Sequence, residues 1–522
     1  MVDPIVAKQP DLFKPRTLPG WFWPFALAVG VRLVFLALAP NNTTDAWSRF
    51  MGSESVLRNP WKLPNLTAHD AWLPLHFWIL AVVLRVWNSE LAARLFTLLL
   101  GALTVLPIWG IARLADSLRI AKASAFTFAL FGFHIAFSIS TGSECPTIFF
   151  MATGIYFWLR YLFDPHFRYL APSALSWVAA SLIRFEAWVA IPVLGLFLLD
   201  FSQGWSSVWT NRRAWGRVLA FGLASSAGAI FWMVYSFWRW GDPMELPHRT
   251  ILSNEQQISI FRHGLLFRVF DVFGSLALTL SPILLALAVL GILLIPWKRA
   301  SPCRAVAIIT LTFFSFNFYN CIRFETTQAR YTILYSWLLI PFVFVGLEGL
   351  GKRWNLAAKR QVIPAILGFF IIWQASIAMA GEYCPPAIAD HLGGLSPLQP
   401  LHVELRSLTA WLKNHVTPPD TVAFDEFNFE SDSIIRFSNL GFARAFQVRG
   451  KQEMQDQAVL REKLQEFWKR ERPRFLVCSP YGPIGRLLAI DDKQTVKVPW
   501  LGVTMTLGWM GPHWRVYEVR YE

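Results

Sequence analysis

Two carboxylates, Asp45 and Asp70, are the first groups in this chain that could do chemistry. They stand in APNNTTDAWSRFMGSESVLRNPWKLPNLTAHDAWLPLHFW, one just after the apolar run that opens at Trp21, the other just before the apolar stretch Ala71 to Trp87. A carboxylate at a membrane surface is partly desolvated, which raises its proton affinity toward that of a useful general base. The same residues could instead cap helices lying on the membrane, Thr44 or Asp45 one of them and Asp70 the next. Arg184 and Glu186, in SLIRFEAWV, interrupt a long apolar stretch. There Arg184 could bind a phosphate, or it could pair with an acid or snorkel at a hairpin. Arg330 and Tyr331, in TTQARYTILYSWLLIPF, stand where another apolar run begins. An Arg in that place could hold a lipid phosphate in a bidentate fork, or serve as an interfacial anchor. The loop WGDPMELPHRT adds Asp242, Glu245, His248 and Arg249. Such a Pro-punctuated loop is either a lid over a site or a plain connector. Glu186, His248, Arg249 and Tyr331 form the set that could close over a site or touch an acceptor.

Other chemistries find no support in the residues. There is no phosphate-cradling glycine loop, no Ser/His/Asp series and no metal-ligand spacing, so no metal is indicated. The five cysteines, Cys145, Cys303, Cys321, Cys384 and Cys478, include no CxxC pair and speak against a zinc site or a disulfide framework. His69 and His76 read as structural residues. Asn41, Asn42 and Asn65 fit the N-glycosylation pattern, which matters only in a glycosylating lumen.

The elements that must carry these residues follow from composition. The chain has 522 residues, of which 54% are hydrophobic and 16% charged, with mean hydropathy +0.40. One or two soluble cores could not hide so much apolar surface, so the fold class expected is an all-α polytopic membrane protein. Runs long enough to cross roughly 30 Å of hydrocarbon as helices fall near 21–40, 92–112, 122–141, 145–163, 170–183, 186–200, 216–238, 272–296, 304–320, 331–350 and 361–380, about 11 transmembrane helices in all. Ala71 to Trp87 is also long enough, and charge placement decides against it. Read as a juxtamembrane helix, it leaves the basic clusters around Lys14, Arg113, Arg160, Arg213, Lys298 and Lys352 on one face, the cytoplasmic one. The net charge of +14, from 48 Lys+Arg against 34 Asp+Glu, thus belongs to cytoplasmic loops and not to nucleic-acid binding. The opposite face then receives the first outer loop (about 41–91) with its juxtamembrane helices, the turn at Arg184, the loop 239–271 and the stretch 320–330. Residues 1–380 make the membrane domain. Residues 381–522 make a small extracytoplasmic α/β domain, since ELRSLTAWLKNHV has helical periodicity and TVAFDEF and RFLVCSP look like strands.

With these residues in place, the chain resembles the glycosyltransferase-C superfamily of integral membrane enzymes that use polyprenyl-phosphate sugars. It is most similar to the branch of the protein O-mannosyltransferases and the lipid A aminoarabinose transferase. The resemblance runs over roughly residues 20 to 350. It rests on the order first span, Asp in the first outer loop, Pro-containing juxtamembrane segment, then SELAARLFTLLLGALTVLPIWGIARLA, with GDP and QARY as later landmarks. It implies that Asp45 is the catalytic or acceptor-positioning carboxylate and Asp70 the second acidic position. It also implies that Arg330, and less closely Arg184, holds the lipid phosphate.

The function expected is transfer of a sugar, mannose or similar, from a polyprenyl-phosphate donor to a protein, lipid or glycan acceptor on the extracytoplasmic or luminal face. The lipid-linked sugar is a substrate and not a cofactor. The membrane would be a bacterial inner membrane, or the endoplasmic reticulum in a eukaryote. A transporter or lipid flippase is the reading from another class; it would favour inverted repeats and helices broken at midplane, whereas the polar residues here gather on one face. A polymerase or ligase of lipid-linked glycans would share the layout and differ in acceptor.

Overall fold

The computed structural model describes residues 18–38, 44–58, 72–199, 211–245, 247–248, 264–297, 301–324, 329–353, 359–379, 403–425, 445–448, 457–490 and 494–522, with residues 434, 435, 438 and 440. All eleven expected membrane segments fall on helices. In chain order these are α1 (Phe22–Leu38), α2 (Thr44–Arg58), α3 (Leu75–Val86), α4 (Glu90–Leu103), α5 (Val105–Ala115), α6 (Leu118–Ala129), α7 (Gly132–Ser138), α8 (Glu144–Phe163), α9 (Phe167–Ser181), α10 (Glu186–Leu196), α11 (Arg212–Trp240), α12 (Leu265–Leu280), α13 (Pro282–Leu293), α14 (Pro302–Phe324), α15 (Ala329–Ser336), α16 (Ile340–Arg353) and α17 (Lys359–Met379).

Length and composition alone qualify four of these stretches to cross a membrane: Glu90–Ala115, Arg212–Trp240, Pro302–Arg323 and Tyr331–Lys352. Two further spans appear only as bent pairs, α6 with α7 at 57° and α12 with α13 at 104°. The second bend sits at Ser281, whose φ of +78° takes it out of the helical region and whose Oγ accepts from Leu284 N at 3.3 Å, so one residue ends a helix and caps the next. Pro282 follows at the first helical position, where its missing N–H costs nothing. The same polar logic starts α4 and α6, where Ser89 and Ser117 accept from Ala92 N and Ile120 N. Outside the packed face, α11 exposes Leu223, Val234, Phe237 and Trp238, an apolar surface suited to lipid. Helix α3 has twelve residues, about 18 Å of rise, and like α10 is an apolar helix shorter than the hydrocarbon thickness.

The C-terminal part is a six-stranded mixed sheet, built from β1 (Val422–Asp425), β2 (Ala445–Val448), β3 (Phe475–Cys478), β4 (Thr495–Val498), β5 (Val503–Met510) and β6 (Arg515–Tyr521), in the order β2-β1-β3-β6-β5-β4. Strand β1 pairs in parallel with β2 and β3, and the rest of the sheet is antiparallel. All four residues of β1 and of β3 are buried, the pattern of strands covered on both faces. One face, with Val422, Phe424 and Phe475, packs on Leu408 and Leu412 of α18 (Val403–His415). The other, with Ala423 and Leu476, packs on Leu464 and Trp468 of α19 (Gln457–Glu471). The expected helix 404–416 and the strands in TVAFDEF and RFLVCSP are thus all present.

Candidate functional site

The turn Ser140 to Ser143, between α7 and α8, is the hub of the membrane region. Thr141 donates its hydroxyl to the Ala46 carbonyl of α2 at 2.5 Å, and its own carbonyl accepts from His76 Nε2 of α3 at 2.8 Å. One residue therefore ties α2 and α3 to the start of α8. A second joint lies nearby, where Leu75 N donates to Leu182 O at 3.0 Å. Gly142 leaves the space this turn needs: a Cβ there would stand 2.8 Å from Glu144 Oε2 and 3.2 Å from Ser140 Oγ.

On this hub sits a buried cluster of charge. Arg184, in the turn between α9 and α10, places Nη1 3.0 Å from Glu144 Oε1 and Nη2 2.7 Å from Glu186 Oε1, and also donates from Nε to both Glu186 oxygens. Its Nη1 reaches Ser143 Oγ at 3.3 Å. The ring of Tyr331 lies 5.8 Å from the guanidinium carbon, close enough for a cation–π contact. Burial would weaken the hold of Arg184 on its proton. Glu186 and then Glu144 outweigh it, so the guanidinium is held charged, above its ordinary range. Beside the cluster, Arg49 of α2 is buried with its guanidinium 4.2 Å from the Trp72 ring centroid and 5.9 Å from that of Phe77. Burial, and next the charge of Arg49, push His76 down to about 3, so the imidazole is neutral near pH 7 and serves as a structural link.

The expected residues separate accordingly. Arg184, Glu186 and Tyr331 come together, and the carboxylates take up Arg184 in the ion pairing weighed for it above. Asp45 is the second residue of α2 and next to Ala46, so its backbone is anchored at the hub. Arg330 is the second residue of α15, next to Tyr331. Nothing further is described for the side chains of these two. Asp70 and Arg249 lie outside the described residues, as does His69. His248 pairs with Asp242 in its own turn, Nδ1 to Oδ2 at 2.7 Å, and is more than half exposed, which makes the pair a local clasp of the loop. Sequence reasoning missed Glu144, Arg49 and Thr141. Arg49 stands one helical turn after Asp45, a spacing that could have shown it.

A bundle of broken helices, with charged groups gathered at the helix ends, is the arrangement of an integral membrane protein, and the comparisons show which proteins it is similar to. In fold the chain is similar to solved enzymes of the glycosyltransferase-C superfamily. A family model described as dolichyl-phosphate-mannose-protein mannosyltransferase matches residues 70–232, a stretch that contains Glu144, Arg184 and Glu186. Among solved structures, ArnT from Cupriavidus metallidurans bound to undecaprenyl phosphate is 16% identical with a TM-score of 0.57, over 95% of this chain and 98% of that one. The apo oligosaccharyltransferase of Archaeoglobus fulgidus is 13% identical with a TM-score of 0.51, over 88% and 70%. The arabinofuranosyltransferase AftD from Mycobacteria is 12% identical with a TM-score of 0.51, over 95% and 41%. A comparison with curated proteins gave no match.

Proposed function

We propose that this chain is an inverting glycosyltransferase that moves a sugar, mannose or similar, from a polyprenyl-phosphate donor to a protein, lipid or glycan acceptor outside the cytoplasm. The observation that carries the reading is the hub at Thr141. It joins the helix whose second residue is Asp45 to the turn that presents Glu144 to Arg184, within a fold similar to that of ArnT, which was solved with undecaprenyl phosphate bound.

In this reading the prenyl tail dissolves between helices and its phosphate meets Arg330 near the start of α15. Asp45 accepts the proton of the acceptor hydroxyl as that oxygen attacks the anomeric carbon. The bond to the phosphate oxygen breaks, polyprenyl phosphate leaves with the electron pair, and the anomeric configuration inverts. Asp70 assists Asp45. Arg184, whose donors are engaged by Glu144 and Glu186, holds those carboxylates in place more than it binds phosphate. The basic clusters support a site on the extracytoplasmic side, where nucleotide sugars are scarce and a lipid-linked donor answers the shortage.

The test is to incubate purified protein with a panel of radiolabelled polyprenyl-phosphate sugars and a membrane extract. Label passing to a protein, lipid or glycan from one donor supports the reading. No transfer from any of them would overturn it.

A further inference from the structure

Arg32 lies midway along α1, fully buried, with no carboxylate among the groups it is shown to bond. A guanidinium inside a membrane bundle is costly to keep and commonly marks function. Its donors are spent on one object. Nη1 donates to the Ala129 carbonyl at 3.1 Å and to Ala28 O of its own helix, Nη2 meets His134 Nδ1 at 2.9 Å, and Nε donates to Ser138 Oγ at 3.0 Å. Since Arg can only donate, His134 Nδ1 must accept, so the imidazole is neutral with its proton on Nε2. Ala129 ends α6, where the last carbonyls lack helical donors, while His134 and Ser138 belong to α7 beyond the 57° bend. One side chain therefore bridges the break from end to end.

We infer that Arg32 is a positioning residue for the proposed transfer site, acting through the α6–α7 break on the turn that carries Glu144. This rests on the glycosyltransferase reading above. The path is short on both sides. Helix α1 ends at Leu38, six residues beyond Arg32, and the chain then enters α2 with Asp45. Ser138 stands six residues before Glu144, and between them Ile139 O accepts from Arg94 Nε at 2.7 Å and Thr141 holds α2. Arg32 thus cross-links the two segments that deliver Asp45 and Glu144. Without it, the break loses this side-chain bridge, and the turn keeps its bonds to Arg94, His76 and Ala46.

The experiment compares Arg32→Met, Arg32→Lys and Ser138→Ala with the wild-type protein in detergent or nanodiscs, by hydrogen exchange and by transfer kinetics. In Arg32→Met, amides of residues 139–144 should exchange on the order of tenfold faster. Turnover should fall by tenfold or more, as about an ångström of misplacement can cost a hundredfold, with the donor KM within about twofold. The acid limb of the pH profile should move to higher pH, because Arg184 holds the Glu186 carboxylate less squarely, and a smaller folded fraction would not produce that shift. Lys should recover part of the turnover, since its three donors radiate from one atom and cannot bridge the break. Should the Met protein fail to fold, Ser138→Ala removes one contact only and should show the same changes in smaller measure. Unchanged exchange at 139–144 in the folded variants overturns the inference, as does faster exchange with an unmoved pH profile and turnover. A wild-type protein that transfers no sugar would refute the function proposed above, and the exchange measurement would still judge the clamp.

Discussion

The Arg184 guanidinium bonds Glu144 at 3.0 Å across forty positions of sequence, with Glu144 only 3% exposed and Arg184 12%. The pair closes the gap between the start of α8 and the turn that follows α9. With Glu186 on its other side, Arg184 faces two acids at once. Breaking a buried pair by removing one partner leaves an uncompensated charge, which costs about 3–5 kcal/mol.

Removing the arginine should therefore harm the fold more than removing the acid. Arg184→Ala leaves two buried carboxylates facing each other, whereas Glu144→Gln leaves Arg184 still paired with Glu186. Thermal unfolding of the two variants should show a clear loss for Arg184→Ala and a smaller one for Glu144→Gln. Equal stability of both with wild type would mean that the cluster is hydrated and loosely held.

Arg330→Ala should weaken the donor and leave folding nearly intact. A charge-assisted hydrogen bond is worth about 1.5–3 kcal/mol, so binding of a polyprenyl phosphate, followed by isothermal calorimetry, should weaken by roughly tenfold or more. Arg330→Lys should restore it in part, because a point charge replaces a fork. Unchanged binding in the Ala variant would reduce Arg330 to an anchor.

Much of this arrangement was legible in the residues, and the rest was hidden for physical reasons. Hydropathy placed each of its eleven apolar runs on helix, because a long apolar run has few alternatives. It could not find the bends at Leu130 and Ser281, since a bent pair has the same composition as a straight span. Glu144 escaped for a related reason. The turn Ser140 to Ser143 is too short to open a gap between two apolar runs, so its acid looks like a stray charge at a helix start. Arg32 was overlooked because only the three-dimensional path of α6 and α7 shows what a lone arginine in a span would hold. Strands β1 and β3 were readable from β-branched and aromatic residues, while β2 was not, nor was the strand order, because parallel pairing of β1 with β3 joins segments about fifty residues apart.

In the C-terminal sheet, Asp425 ends β1 and accepts from Ile484 N and Gly485 N at 3.1 Å each, with Gly482 so close that a Cβ there would stand 2.1 Å from Oδ2. Burial pushes its carboxyl up to about 6, against the backbone donors that favour the anion. A raised acid is more readily protonated in the folded state, so its contribution to stability falls as pH rises from about 4 through about 6 and is constant above. About two pKa units correspond to on the order of 3 kcal/mol. The stability of wild type relative to the non-titrating Asp425→Asn should therefore decline by that order between pH 4 and pH 7, read from urea unfolding of the C-terminal part by tryptophan fluorescence. A difference that does not change with pH would place the folded pKa near its ordinary value.

The central claim is that the acid at the start of α2 carries out sugar transfer. Its most direct measure is the single-turnover rate at which label leaves a polyprenyl-phosphate sugar for an acceptor, in wild type and in Asp45→Asn side by side. Asn caps a helix about as well as Asp, so expression and unfolding temperature should barely differ. The transfer rate should nonetheless fall on the order of a hundredfold, the loss typical of a missing general base. A folded Asp45→Asn protein that transfers sugar at the wild-type rate would contradict the account.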